Sequence, residues 1–479
     1  MFFSSLPLSW YERPPILQGS ENEDGDLVIK QSKHPQVSLR RLRSLCAERD
    51  PSETAVALRS LGVVGRKAGD LDHARQHLEE SLQMFHSLYG DGDHSDIAET
   101  LRELGEVERQ GGDFDSAKRH LEMSVRMYRA LYGDSGHPEF ALTLRSLGVV
   151  SRKVRDFDSA MRHLQVSFHM FRSWYGDGDH SDIAATLREI GELSRQARDF
   201  ESSKRHLEES LRMYRQLYGD SSDPEFAETL YVLGLVTLKV GDAHQGKEHL
   251  EESLRMKRSL YGDQHCPEIA AALHELGLLS RRLGNMTQAK QHLEEALQMI
   301  RSLHGDKDHP DIAATLYALG VVSGQTADFD QATLHLEECL QMKQSMHWEA
   351  DHPGIAKTLH ALGVVNALAG DFNQAKLHLQ ACLQMKLALH GDRHHPGIAA
   401  TLHDLGQLNR QIGEFQEAQR LLKESLEMNR CLRGDAGDHP DIAATCHALG
   451  MAKQRREMQL NESRRMIEAL HADMNHPDL

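Results

Sequence analysis

With 479 residues, a formal net charge of −17 and only 5% aromatic residues, the chain has a composition dominated by helix formers rather than strand formers. The acidic balance repels a phosphate backbone, so no nucleic-acid partner is expected unless a local basic surface overcomes it. No apolar run is long enough for a membrane span, so no membrane insertion is expected, and six cysteines without a C-x-x-C pair read as reduced thiols of a cytoplasmic protein.

Taken from the start, Met1 to Trp10 lacks a basic leader, so no signal peptide is expected. Ser20 to Asp26 is polar and acidic and reads as disordered, and Val37 to Ala47 reads as a short capping helix. Residues 1–50 are thus a separate N-terminal segment, and 51–479 a tandem array. Its period is set by Gly62, Gly105, Gly148, Gly191, Gly234, Gly277, Gly320, Gly363 and Gly406, each 43 residues from the last, with Gly450 following after 44. A Leu series from Leu78 to Leu422 and a Met series from Met84 to Met428 keep the same phase, which makes ten copies of one unit, the last atypical or truncated.

Within a copy, Ala98, Leu101, Leu104, Gly105 and Glu108 mark one face of a first helix, helix A. Gly111, Gly112 and Asp113 break it, and Phe114, Ala117, Leu121, Val125 and Tyr128 mark the buried face of helix B. Gly133 is expected to close helix B in a left-handed conformation, and His137-Pro138-Glu139 starts the next unit. Trp348 holds that Gly position in the seventh copy, where helix B is expected to end differently. Gly90 to Asp96 recurs at Gly176 to Asp182, 86 residues on, as if pairs of units had been duplicated. His476-Pro477-Asp478 resembles the start of a further unit.

Three features invite chemistry. Gly241 to Glu248 approaches a phosphate-binding loop, but Glu248 replaces the required Ser or Thr and the stretch lies between helices. A histidine recurs once per unit, from His77 to His378, too widely spaced for zinc and better read as a half-buried packing seam. A second set, including His94, His137, His180, His309, His352, His395 and His439, precedes helix A and reads as capping. Cys339 and Cys382 fill a slot held elsewhere by Ser81, Ser124 and Ala296 and read as small packing residues. No nucleophile, base and orienter recur together, so no enzymatic activity, cofactor or metal is expected.

The pattern Ala-x-Thr-Leu-x-x-Leu-Gly in Ala98 to Gly105, followed by Gly112-Asp-Phe114, Ala117 and Gly-Asp-x-x-His-Pro, resembles the tetratricopeptide repeats of kinesin light chains and nephrocystin. The likeness runs from Ser52 to Pro477 and departs where the family often carries Trp or Tyr in helix A, here Leu101 and Glu108. It implies an all-α, right-handed superhelical solenoid of about ten helix-turn-helix units with helix A lining the concave surface. The fifty residues before the repeats hold no heptad run, so kinesin heavy chain is not expected as a partner.

On that stripe of helix A, the first four units place Arg59, Arg66, Arg102, Arg109, Arg145, Arg152, Arg188 and Arg195. An ordinary alternative is helical pairing of Arg102 with Glu106 and of Arg188 with Glu192, a partner that Val63 and Val149 deny to Arg59 and Arg145. From the fifth unit the stripe becomes Tyr231, His274, Tyr317, His360 and His403. The Asn and Lys of carboxylate-clamping co-chaperones are absent, so no chaperone tail is expected. The resemblance implies a protein-binding scaffold or adaptor, a cargo adaptor of kinesin-light-chain kind being one form of it, that takes acidic and apolar peptide segments. The alternative is a regulatory arm of a larger signalling protein. Reversing Arg102, Arg109, Arg188 and Arg195 to Glu is expected to weaken acidic-peptide binding and leave helicity unchanged.

Overall fold

The computed structural model describes Leu17–Glu21, Leu27–Lys30 and 50–474, apart from 91, 134–136, 220, 263–265, 306, 347–351, 392–393 and 434–438. Among the described residues, nineteen helices form nine hairpins and one closing helix. The hairpins are α1 (Pro51–Lys67) with α2 (Leu71–Tyr89), α3 (Ser95–Gln110) with α4 (Phe114–Tyr132), α5 (Pro138–Lys153) with α6 (Phe157–Tyr175), and α7 (Ser181–Gln196) with α8 (Phe200–Tyr218). Then follow α9 (Pro224–Val240) with α10 (Ala243–Tyr261), α11 (Pro267–Arg282) with α12 (Met286–His304), and α13 (Pro310–Gln325) with α14 (Phe329–Met346). Last come α15 (Pro353–Ala369) with α16 (Phe372–His390), α17 (Pro396–Ile412) with α18 (Phe415–Arg433), and the single α19 (Pro440–Met474).

The chain divides into two units, Met1–Leu217 and Tyr218–Leu479. The first holds four hairpins, the second five hairpins and α19. Within each unit, each helix A packs on its own helix B, and most helices A touch the next helix A. No hairpin can bury both apolar faces alone, so stacking supplies the core.

The repeated glycine exists for close approach. A Cβ on Gly105 would lie 2.7 Å from Leu121 Cγ, and one on Gly277 2.6 Å from Leu293 Cγ. The small-residue slot does more than pack: Ser124 Oγ donates to the Ala98 carbonyl at 2.6 Å, and the Cys339 and Cys382 thiols donate to Ala313 and Ala356 at 3.1 and 3.2 Å. At the turn, Gly112 has φ 84°, and the Asp113 carboxylate accepts from the Ser116 N–H at 3.1 Å, capping helix B. Arg155, Arg198 and Ala327 occupy the same left-handed position with φ of 65°, 65° and 61°.

Several expectations change. Helix B closes with Gly133 at φ 61° and ψ −145°, and Gly90 at 72° and −160°, so the closing glycine is extended rather than left-handed helical. That region is open essentially to glycine alone. The tenth copy is one 35-residue helix, because Gln454 to Leu460 offers no Gly or Pro to break it. Near the N-terminus β1 (Leu17–Glu21) pairs antiparallel with β2 (Leu27–Lys30), Ser20 facing Val28 and Glu21 facing Leu27. The apolar run Leu27-Val28-Ile29 thus draws two residues of the supposed disordered stretch into a strand. The Val37–Ala47 helix, Trp348 and His476-Pro477-Asp478 lie outside the described residues.

Candidate functional site

The arginines on helix A of the first unit meet carboxylates. Arg59 pairs with Asp96 at 2.9 Å and Glu99 at 3.1 Å, Arg66 with Glu103 at 3.1 Å, and Arg145 with Asp182 at 3.1 Å. Arg102 reaches Glu103 at 2.8 Å and Glu139 at 3.3 Å, while Arg109 pairs with Glu106 at 2.7 Å. Arg152 holds Glu189 at 2.9 Å and Glu192 at 3.5 Å, Arg188 holds Glu189 at 2.8 Å, and Arg195 holds Glu192 at 2.6 Å.

This corrects the pairing read from sequence. Arg102 and Arg188 turn away from Glu106 and Glu192, which go instead to Arg109 and Arg195. Arg59 and Arg145 are served by acids of the next hairpin, 37 residues on. The reason is reach: a long side chain crosses to the adjacent helix A, where buried carboxylates must find a counter-charge. Burial alone would push the Glu189 carboxyl up, yet Arg188 and Arg152 hold it below the ordinary carboxylate range. The supposed basic strip is therefore a lattice of alternating charge.

The second unit places its stripe differently. The half-buried Tyr231 and His274 line a cleft of about 270 Å³ with Pro267, Ala271, Ile300 and Asp311. Lys257 Nζ lies 4.4 Å from the Tyr231 ring centre and 3.0 Å from Glu228. Thr315 Oγ1 donates to the Asp311 carbonyl at 2.8 Å, so its oxygen accepts from His274 Nδ1–H at 3.0 Å. Nε2 of the neutral ring is then the free acceptor. His403 repeats this with Thr445 at 3.0 Å, and His360 Nε2 meets Asp404 at 2.8 Å. Burial holds the His274 imidazole below its ordinary range against the pull of Asp311. Around Tyr317 the Lys343 and Lys357 ammoniums stand 5.1 and 4.5 Å from the ring centre.

The lysines were missed because they come from helix B or from a position where acids stand in other copies. One signal was available: Lys343 and Lys386 appear where the first-turn acid of the following helix A is replaced by Gly354 and Gly397. Both lysines donate instead to that glycine's carbonyl and to Thr358 or Thr401.

The remaining motifs take structural places. His94, His180, His309, His352, His395 and His439 cap helix A, each Nδ1 accepting the N–H two residues on. Of the once-per-unit histidines, His120 and His378 meet their own helix A, at Glu108 (2.8 Å) and Asn366 (3.1 Å), while Nδ1 of His163, His292 and His335 is buried without a hydrogen-bond partner among the described residues. In the loop-like stretch, Asp242 caps α10 and Lys247 pairs with Glu251 at 3.5 Å. Among the described residues no His, Cys, Asp and Glu gather as a metal would need, and no helix is long and apolar enough to cross a membrane.

A comparison with curated proteins finds no match to the chain. Solved structures similar to it include the apo form of the quorum sensor NprR from B. thuringiensis, at 12% identity, 79% of this chain, 99% of that chain and TM-score 0.54. PH0952 from Pyrococcus horikoshii, a signal transduction ATPase with a tetratricopeptide repeat sensor, is similar at 12% identity over 85% of this chain and 56% of that one, TM-score 0.56. The putative kinesin light chain repeats from Podosopora anserina align at 20% identity over 43% of this chain and 96% of that one, TM-score 0.38. The first two likenesses show the fold alone. The family model described as tetratricopeptide repeat matches residues 53–130, 225–300, 268–345 and 378–430, and a second model of that description matches 183–225 and 355–396. On that match, over more than half of its length, the chain belongs to the tetratricopeptide repeat family.

Proposed function

We propose that this chain is a non-enzymatic, cytoplasmic scaffold or adaptor that binds peptide segments of partner proteins along helix A of its second unit. Tyr231, His274, Tyr317, His360 and His403 form the binding stripe, and the preferred segments carry acidic and apolar residues. The observation that carries this reading is the difference in charge pairing: the first unit's arginines are matched by carboxylates, while the second unit offers a cleft, half-buried aromatics and two lysines, Lys343 and Lys386, held by neutral acceptors. The arginine strip joins recognition where a ligand displaces its internal acids. Cargo binding of kinesin-light-chain kind is one form of this role.

A second reading, the regulatory arm of a larger signalling protein, draws on the fold shared with the repeat sensor of PH0952. The first reading is tested by passing a random pool of short peptides over the immobilised full chain and over a Tyr231→Ala, Tyr317→Ala variant. Retained peptides enriched in acidic and apolar residues, lost with the variant, are expected. Equal retention by both proteins would refute the stripe.

A further inference from the structure

The charge lattice of the first unit has a counterpart in the second from which the acids have been removed. Arg281 holds the helix A position of Arg66 and Arg152, whose partners Glu103 and Glu189 stand 37 residues on. At that interval from Arg281 stands Ala318. The second acid used by Arg152, Glu192, becomes Val321, and the acid three residues before Arg109, Glu106, becomes Leu278. Among the described residues Arg281 has no ion-pair partner, and its Nε is buried without an acceptor.

Two more cations stand over the ring of Tyr317, the residue beside Ala318. Lys343 is held only by neutral oxygens, Thr358 Oγ1 at 2.9 Å and the Gly354 carbonyl at 3.3 Å. Gly354 stands where helix A of the second to seventh copies has an acid, from Asp96 to Asp311. Lys357 is exposed and stands where the second and fifth copies carry Glu99 and Glu228. Desolvation holds its ammonium below the ordinary lysine range, and the like charges of Lys343 and Arg281 push it the same way. Burial pushes the Tyr317 phenol up, against the pull of Arg281. Among the described residues no carboxylate bears on either group, and the buried Cys339 thiol is the acidic group that does.

We infer that Arg281, Tyr317, Lys343 and Lys357 form an anion subsite, and that its ligand is a phosphorylated side chain of the bound peptide. The inference rests on the proposed reading of helix A as the peptide face. Three cations without a counter-charge among the described residues would be left largely uncompensated by one carboxylate of a ligand. A phosphoryl group brings about −1.5 to −2 charges and three acceptor oxygens, which suits a guanidinium and two ammoniums. In a chain of net charge −17 such a ligand is repelled elsewhere, so its placement here is selective.

The probes are three pools of short peptides of random flanking sequence with a central phosphoserine, glutamate or serine, titrated against the full chain by fluorescence anisotropy. Phosphoserine should bind roughly tenfold or more tighter than serine and clearly tighter than glutamate. Lys357→Ala and Arg281→Gln should each reduce that preference while serine-peptide binding persists. Ala318→Glu should abolish it by rebuilding the internal pair, and far-ultraviolet circular dichroism checks that each variant is folded. Ala318 is 3% exposed, but Glu103 and Glu189 are accommodated in the same slot at 4% and 6% beside their arginines. Equal affinity for phosphoserine and serine overturns the subsite while leaving the peptide face standing. Equal affinity for phosphoserine and glutamate overturns the phosphoryl assignment. Binding of no pool overturns the peptide face itself, and the subsite with it.

Discussion

Arg152 and Glu189 lie 2.9 Å apart across two successive helices A, and both side chains are buried, at 8% and 7% exposure. A charge so placed cannot be removed singly without stranding its partner. Arg152→Ala leaves Glu189 sharing Arg188 alone and Glu192 dependent on Arg195. A loss of about 3 kcal/mol is expected, in line with broken buried pairs, read as a lower urea midpoint. Arg152→Met with Glu189→Leu should recover most of it, since an apolar pair of similar volume avoids the stranded charge.

The same lattice revises the charge-reversal experiment suggested by the sequence. Reversing Arg102, Arg109, Arg188 and Arg195 to Glu sets new negative charges beside Glu103, Glu106, Glu189 and Glu192. The expected outcome is a destabilised first unit, seen as a lowered thermal midpoint by circular dichroism. An unchanged midpoint would show that the pairs contribute little.

Acid should weaken the fold in a window set by the histidine ladder. Burial holds the His163, His206, His292, His335 and His378 imidazoles below their ordinary value of 6.5. The unfolded chain therefore binds more protons than the folded one below that pH. Their contribution is complete above pH 6.5, declines as pH falls below it and is lost once each folded value is passed. Thermal midpoints measured across this range should fall with pH, before the carboxylates that cap helix B begin to protonate. Substituting His163, His206 and His292 by Asn should flatten the slope.

Three turns carry side chains where glycine fits better. Ala327 has φ 61°, while Gly112, Gly284 and Gly370 take the same position in other copies. A left-handed residue with a Cβ costs about 1 to 2 kcal/mol, offset in part by the greater freedom of unfolded glycine. Ala327→Gly is expected to raise the urea midpoint slightly, and Arg155→Gly and Arg198→Gly to act alike.

Much of the architecture was legible because each repeated residue does one local job: Gly105 admits Leu121, Asp113 caps helix B, and His94 caps helix A. The 86-residue echo also has a physical meaning, since Arg59 with Asp96 and Arg145 with Asp182 are the same bridge two hairpins apart. What periodicity hid was the partner across the stack. Arg59 looked unpaired because its acid lies 37 residues away, beyond any single-helix rule. The tenth copy's failure to turn was hidden too, since Gly450 keeps the phase while nothing later breaks the helix. Lys357 escaped notice because only the missing acids around it, at Gly354 and Ala318, give its charge significance.

Where a peptide settles is tested most directly by hydrogen exchange of the full chain, with and without a saturating pool of peptides selected on it. Slowed exchange is expected along α9, α11, α13, α15 and α17, around Tyr231, His274, Tyr317, His360 and His403, with any change at α3 and α7 smaller. Slowing confined to α3 and α7, around Arg102, Arg109, Arg188 and Arg195, with the helices of the second unit unaffected, would contradict the proposed site.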